Sequence, residues 1–345
     1  MRTAKIRTIL YGLGPVGAEL ARLALARRDF EVMAAIDPHP ARAGKDLGAL
    51  VNNQQIGIQI AYDAETILRE KAADVVLHTS EVGLSSIYTQ IAEAAASQMN
   101  VVSNCAELAF PNLRYPDIAE RLRQAAVQAG VCILAAGDSC GYMMDVLPAV
   151  LATACQEVRS VTVKRRMSIG DRLLELREQA GIGFTREGFQ RAADEGNLGL
   201  RGAVESVALV ADTLGWRSEG VKESIEPIFA TKQMKTSYLV VEKRQVMGIR
   251  QKAVALVGDR EVVQLQIELS MAVEEPREEV IVEGTPPISL VLPAGLAETK
   301  ASAALMVNSA VAIAWGRYQG LLSLRDLPLA PYRRPQLAPQ QELII

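Results

Sequence analysis

Ile6-Arg7-Thr8-Ile9-Leu10-Tyr11-Gly12-Leu13-Gly14-Pro15-Val16-Gly17 is the stretch from which the fold is read. An aliphatic, β-branched run ends in three glycines spaced GxGxxG, and the following AELARLALARR repeats apolar residues at helical spacing. Strand, glycine turn and helix in that order are the context a dinucleotide loop needs. The glycines permit a tight turn and close approach of backbone to pyrophosphate, and the helix N-terminus supplies amide donors. Gly12, Leu13, Gly14, Pro15, Val16 and Gly17 are therefore candidate cofactor-binding residues.

Working outward, FEVMAAID, DVVLHTS, NVVSNCAE and VCILAAG read as further short strands. They alternate with the helical stretches SSIYTQIAEAAASQ and ERLRQAAVQAG. Strands separated by helices of this length need crossover connections and form a parallel sheet, here an N-terminal Rossmann domain over 1–138. From about Arg159 the texture changes to longer alternating segments, SVTVKRRMSI, TSYLVVEKRQVMGI, QKAVALVG and EVVQLQIELSMAV, which predict an antiparallel sheet. With LLELREQAG and AVESVALVADTLGW as covering helices, residues 139–303 form an α+β second domain. TPPISLVLPAG reads as a loop, KASAALMVNSAVAIAWG as a buried helix within a returning segment 304–345, and the Pro- and Gln-rich tail as an extended strap.

The 345 residues suit two domains. A net charge of −3, with acids and bases intermixed, gives no basic stripe for nucleic acid. No apolar run approaches the roughly 20 residues that cross a bilayer, and no leader is read at the start, so a cytoplasmic protein is expected. Cys105, Cys132, Cys140 and Cys155 form no CxxC pair and the two histidines are His39 and His78, so reduced thiols and no metal are expected.

Asp37 ends the second predicted strand about 20 residues past the glycines, where a carboxylate accepts ribose hydroxyls and favours NAD(H). His39 and Arg42 follow in DPHPAR, and a cation there accommodates a 2′-phosphate, which leaves NADP(H) or dual use open. Arg42 reads equally well as a solvated loop cation. His78, Thr79 and Ser80 close a strand at the carboxyl edge, where open α/β sheets bind ligands, although His78 is as readily a histidine satisfied inside the protein. Asn104 and Cys105 close the next strand beside the expected nicotinamide, and Glu107 lies just beyond. A carboxylate beside a hydride donor suits a nitrogen that carries positive charge, so Glu107 is the candidate catalytic residue, against a role at a helix N-terminus. With no histidine after residue 80 to serve as its base, Cys105 reads as a small buried hydrophobe rather than a nucleophile. Past the last strand, GDSCGYMM offers Ser139, Tyr142 and Met143 as substrate wall, and Tyr142 and Met143 read equally well as ordinary packing residues. Arg165 and Arg166 read as carboxylate binders or solvent-facing strand cations.

GLGPVG, AAIDPHPARAGKDLG, VVLHTS, VVSNCAELAFP and GYMMDVLP together resemble the 2,4-diaminopentanoate dehydrogenase family, including its native amine dehydrogenases, on a dihydrodipicolinate-reductase-like fold. QAGIGFTREGF, GLRGAVESVALVADTLGW, VIVEGTPP and AALMVNSAVAIAWG extend the likeness over most of the chain. The resemblance implies a homodimer, paired through the second domain, that interconverts an amine with a ketone or aldehyde and ammonia using NAD(H) or NADP(H). It implies Glu107 as the acid that holds ammonia or the iminium, and Asn308 in MVNSA as a residue returning toward the cofactor. Where the family tends toward GxNPGF this chain has GDSCGY, which leaves the substrate open. An apolar pocket with Tyr142, Met143 and Phe184 suits short ketones or aldehydes, and Arg166 suits a substrate carboxylate. The alternatives are a reductase of C=O or cyclic C=N bonds, which needs no ammonia, and a non-catalytic dinucleotide sensor.

Overall fold

The computed structural model describes residues 4–52, 54–70, 72–79, 83–169, 176–235, 239–314 and 318–328. They divide into two compact units, the chain up to Tyr142 with the residues from Ala297 onward, and Met143–Leu296.

The first unit begins with β1 (Ile6–Tyr11), α1 (Pro15–Ala26), β2 (Phe30–Ile36), α2 (Leu47–Asn52), β3 (Ile60–Ala61), α3 (Ala64–Glu70) and β4 (Val75–His78). It continues with α4 (Leu84–Ala96), β5 (Asn100–Ser103), α5 (Pro116–Ala129) and β6 (Cys132–Ala135). Every residue of β4 and β6 is buried, and β1 is buried at all positions but one. Strands covered on both faces read as near-continuous apolar runs, which is why they were visible in the sequence.

The second unit holds α6 (Val146–Ala152), β7 (Glu157–Ser168), α7 (Arg186–Asp194), α8 (Ala203–Thr213), β8 (Val221–Phe229), β9 (Met234–Lys235) and β10 (Val240–Val241), then β11 (Val246–Val257), β12 (Arg260–Ser270), β13 (Arg277–Thr285) and β14 (Ile288–Pro293). Six of these strands form one sheet in the order β14-β13-β7-β12-β11-β8. The sheet is mixed rather than antiparallel, because β7 pairs β12 in parallel and β13 in the opposite sense. The segment read as one strand through Val240 and Val246 is split by a turn, with Arg244 in the left-handed region at φ 74°. TPPISLVLPAG is not a loop: β14 is an edge strand, where proline's missing N–H is tolerated. Helices α6 and α8 pack on the sheet.

The chain then rejoins the first unit through α9 (Glu298–Ala314) and β15 (Gly320–Ser323). α9 lays Ala303, Met306, Val307, Ala310 and Ile313 into the same core as Leu20, Ala21 and Ala24 of α1. Small residues on both helices let the backbones approach closely. β15 adds a strand in parallel to β6, so the sheet runs β15-β6-β5-β4-β1-β2-β3. At four residues it is too short to show a period in the sequence. Among the described residues no helix is long and apolar enough to cross a membrane.

Candidate functional site

The parallel register aligns the carboxyl ends of the strands. Tyr11 pairs with Ile36 and His78, His78 with Ser103, and Ser103 with Ala135. The next residues, Gly12, Asp37, Thr79, Asn104 and Ala136, therefore lie along one edge, and strand order reverses where β1 sits between β2 and β4. Ligands of open α/β sheets bind at such a reversal.

A cavity of about 450 Å³ opens there, lined by the glycine loop, Asp37 to Pro40, Arg42, Thr79, Ile87, Gln90 and Asn104. The loop packs too tightly for side chains. A Cβ on Gly12, whose φ is +91°, would lie 2.1 Å from the Thr79 carbonyl oxygen, and one on Gly17 would lie 2.0 Å from that of Gly12. α1 starts with Pro15 after Gly14, receives no side-chain cap and has no acid in its first turn. Its first amides thus face the cavity as open donors, an arrangement that fits a pyrophosphate.

Asp37 is buried at the end of β2 and braces this loop. Its Oδ2 accepts from Leu13 N (2.7 Å) and Arg42 Nε (2.7 Å), and its Oδ1 accepts from His39 N (2.8 Å). Thr79 Oγ1 donates to the Gly12 carbonyl oxygen (2.8 Å), tying β4 to the loop. Tyr11, also on the cavity wall, has its hydroxyl pushed up to about 12, by burial first and by Glu93 second, so it remains a neutral donor.

His78 does not touch the cavity. Its ring is 1% exposed, with Nδ1 at 2.9 Å from Ser103 Oγ, Nε2 at 3.0 Å from Gln90 Oε1 and an edge packed on the Tyr11 ring. Burial lowers its pKa to about 4. Of the two readings of His78, its partners fit that of a histidine satisfied inside the protein, with Gln90, which does line the cavity, bonded to Nε2. Cys105 is likewise buried, its amide donating to Ser103 Oγ (3.2 Å), and lies outside the cavity lining. Ser80 lies outside the described residues. Asn308 is exposed and faces Arg27 (3.5 Å), the residue that ends α1. A 12-residue helix is about 18 Å long, so Asn308 sits at the opposite end of α1 from the glycine loop.

Glu107 lies in a single 3-10 turn, Ala106–Ala109, after β5. It is 4% exposed, and the cavity lining does not include it. Its Oε2 accepts from Leu84 N (2.6 Å), the first amide of α4, and its Oε1 from the Tyr115 hydroxyl (3.4 Å). Each oxygen keeps a second lone pair. The carboxylate thus meets a helix N-terminus, though that of α4 rather than its own turn.

Ser139 and Tyr142 are half-buried in the turn after β6, with Gly141 at φ +106°, and Met143 is fully buried. In the second unit Phe184 packs over Gly181, and Arg166 is exposed with Glu268 at 3.9 Å. Arg166 pairs across the strands with Glu268 and borders the charged concavity over this sheet, while alternation buries Arg165. Arg165 is fully buried and pairs with Glu278 (Nε to Oε1, 2.6 Å), a role open to neither reading of it. A concavity of about 570 Å³ over this sheet is lined by intermixed Lys, Arg and Glu side chains, among them Lys164, Arg250 and Glu279.

Ile87 and Gln90 escaped the sequence reading. They stand one turn apart on α4, and their spacing was a signal without a partner to give it direction.

A family model described as the 2,4-diaminopentanoate dehydrogenase C-terminal domain matches residues 142–334. The chain belongs to the 2,4-diaminopentanoate dehydrogenase family. The N-terminal model of dihydrodipicolinate reductase matches residues 6–105, the stretch that builds the cavity. The 2,4-diaminopentanoate dehydrogenase of Acetoanaerobium sticklandii is 28% identical over 341 residues, 94% of each chain. An amine dehydrogenase of Streptomyces virginiae is 27% identical over 164 residues, 44% of this chain and 46% of the relative. The solved amine dehydrogenase of Mycobacterium smegmatis shares the fold, with a TM-score of 0.84 at 20% identity over 96% of this chain and 98% of that one. The 2,4-diaminopentanoate dehydrogenase family thus covers both units, with a dinucleotide-binding domain first.

Proposed function

We propose that the chain is an NAD(P)H-dependent amine dehydrogenase that reductively aminates a small ketone or aldehyde and runs the reverse deamination, with 2,4-diaminopentanoate-like molecules in its substrate range. Family membership supports the reaction class, and one observation supports the assignment of its chemistry: Glu107, a buried carboxylate, stands three residues beyond Asn104 of the dinucleotide cavity. The bound dinucleotide supplies or takes the hydride. Glu107 holds ammonium, accepts its proton as nitrogen attacks the carbonyl carbon, gives that proton to the hydroxyl that departs as water, and as a carboxylate again stabilises the cationic iminium. Leu84 N and Tyr115 fix the carboxylate for this task. Ammonia as co-substrate, a homodimer and a cytoplasmic site of action belong to the same proposal.

The test is NADH and NADPH oxidation with short ketones, aldehydes and 2-amino-4-oxopentanoate, each with and without ammonium. Turnover that needs both carbonyl and ammonium is expected. Glu107→Gln keeps an oxygen acceptor for Leu84 N but loses the charge, and is expected to cut kcat by about 10²- to 10³-fold while dinucleotide binding persists. Ammonium-independent turnover, or a Gln variant with most of its activity, would overturn the proposal.

A further inference from the structure

A carboxylate offers about four lone-pair positions, and Asp37 has three of them filled. Leu13 N and Arg42 Nε occupy Oδ2, and His39 N occupies one position on Oδ1. A carboxylate that recognises an unmodified ribose must accept hydroxyl donors, and this one has a single position left and a guanidinium against it. Arg42 is tied through Nε alone. Its Nη1 and Nη2, with four N–H donors, take no hydrogen-bond partner among the described residues, and its side chain is 32% exposed on the cavity wall.

His39 adds a second donor. The Ala41 amide can only donate, so Nδ1 of His39 accepts it (3.1 Å), and the proton of the neutral ring belongs on Nε2. The His39 side chain is exposed and also lines the cavity. Two donors, one a delocalised cation whose planar fork matches phosphate geometry, therefore converge where β2 ends.

We propose that the chain is built for NADP(H), with the 2′-phosphate held by the Nη groups of Arg42 and by Nε2 of His39, while Asp37 anchors Arg42 instead of serving as a ribose acceptor. This rests on the dinucleotide reading of the cavity. The test titrates the protein with NADPH and NADH by the fluorescence of the bound nicotinamide, and displaces NADPH with adenosine 2′,5′-bisphosphate or with 5′-AMP.

Tighter binding of NADPH than NADH, and displacement by the bisphosphate at lower concentration than by AMP, are expected. In Arg42→Ala the NADPH-to-NADH affinity ratio is expected to fall by about 10- to 100-fold, the range for a charge-assisted contact, and Arg42→Lys to give an intermediate ratio. NADH preferred by the natural chain, or a ratio that Arg42→Ala leaves unchanged, would overturn the 2′-phosphate site. Binding of neither dinucleotide would overturn the reading beneath it as well.

Discussion

Acid should destabilise the first unit well before its carboxylates protonate, and His78 sets the size of the effect. Its imidazole is enclosed by Ser103, Gln90 and Tyr11, and burial lowers its pKa from 6.5 to about 4. In the unfolded chain the ring binds a proton below 6.5, whereas the folded chain refuses one until about 4, so stability is full above 6.5 and is lost as pH falls toward 4. Integrating the two titrations gives a loss of about 2 kcal/mol between pH 7 and pH 5, and about 3 kcal/mol by pH 4. The carboxylates whose pKa is lowered, Asp46, Asp63, Asp74 and Glu187, add their own losses only below about 4.5. The window from 7 to 5 thus isolates the histidine. Urea unfolding followed by circular dichroism at pH 7, 6 and 5 measures the loss. With two histidines in the chain, the ring proton resonances separate the exposed His39 from His78. His78→Gln should flatten the profile. A His78 resonance titrating near 6.5, together with level stability from pH 7 to 5, would refute the reasoning.

Gly17→Ala drives a Cβ onto the Gly12 carbonyl oxygen, so loss of dinucleotide binding and about 2–3 kcal/mol of stability are expected by titration and urea melts. A variant that binds normally would mean the loop yields. Arg165→Met strands the Glu278 carboxylate inside the second unit and should cost about 3–5 kcal/mol, with the Arg165→Met/Glu278→Leu pair recovering much of it. A single substitution costing under about 1 kcal/mol would show that the ion pair is not the brace it looks like.

The first unit was legible because its strands are buried on both faces and announce themselves as runs, and because GxGxxG and Asp37 have roles defined by spacing. The fate of His78 was not, since it depends on Ser103 and Gln90, which only the fold brings to it. The same holds for the arginines of β7: the alternation was visible, but which parity faces inward is decided by β13, where Glu278 pairs with Arg165 in register. β14 hid among three prolines, Pro286 and Pro287 before it and Pro293 at its end, the last tolerated because the strand is a sheet edge. Asn308 was placed by likeness alone, and the packing of α9 against α1 sets it beside Arg27 instead.

The return of α9 and β15 to the first unit has a consequence for how the molecule is made. A ribosome delivers β1 to β6 first, yet the apolar side of α1 stays uncovered until the second unit has been synthesised and Ala303, Met306 and Val307 emerge. At ordinary elongation rates that delay is on the order of ten to thirty seconds. The segment made second can close its sheet while the segment made first still waits, so the nascent nucleotide domain is the part of this chain that a chaperone would meet.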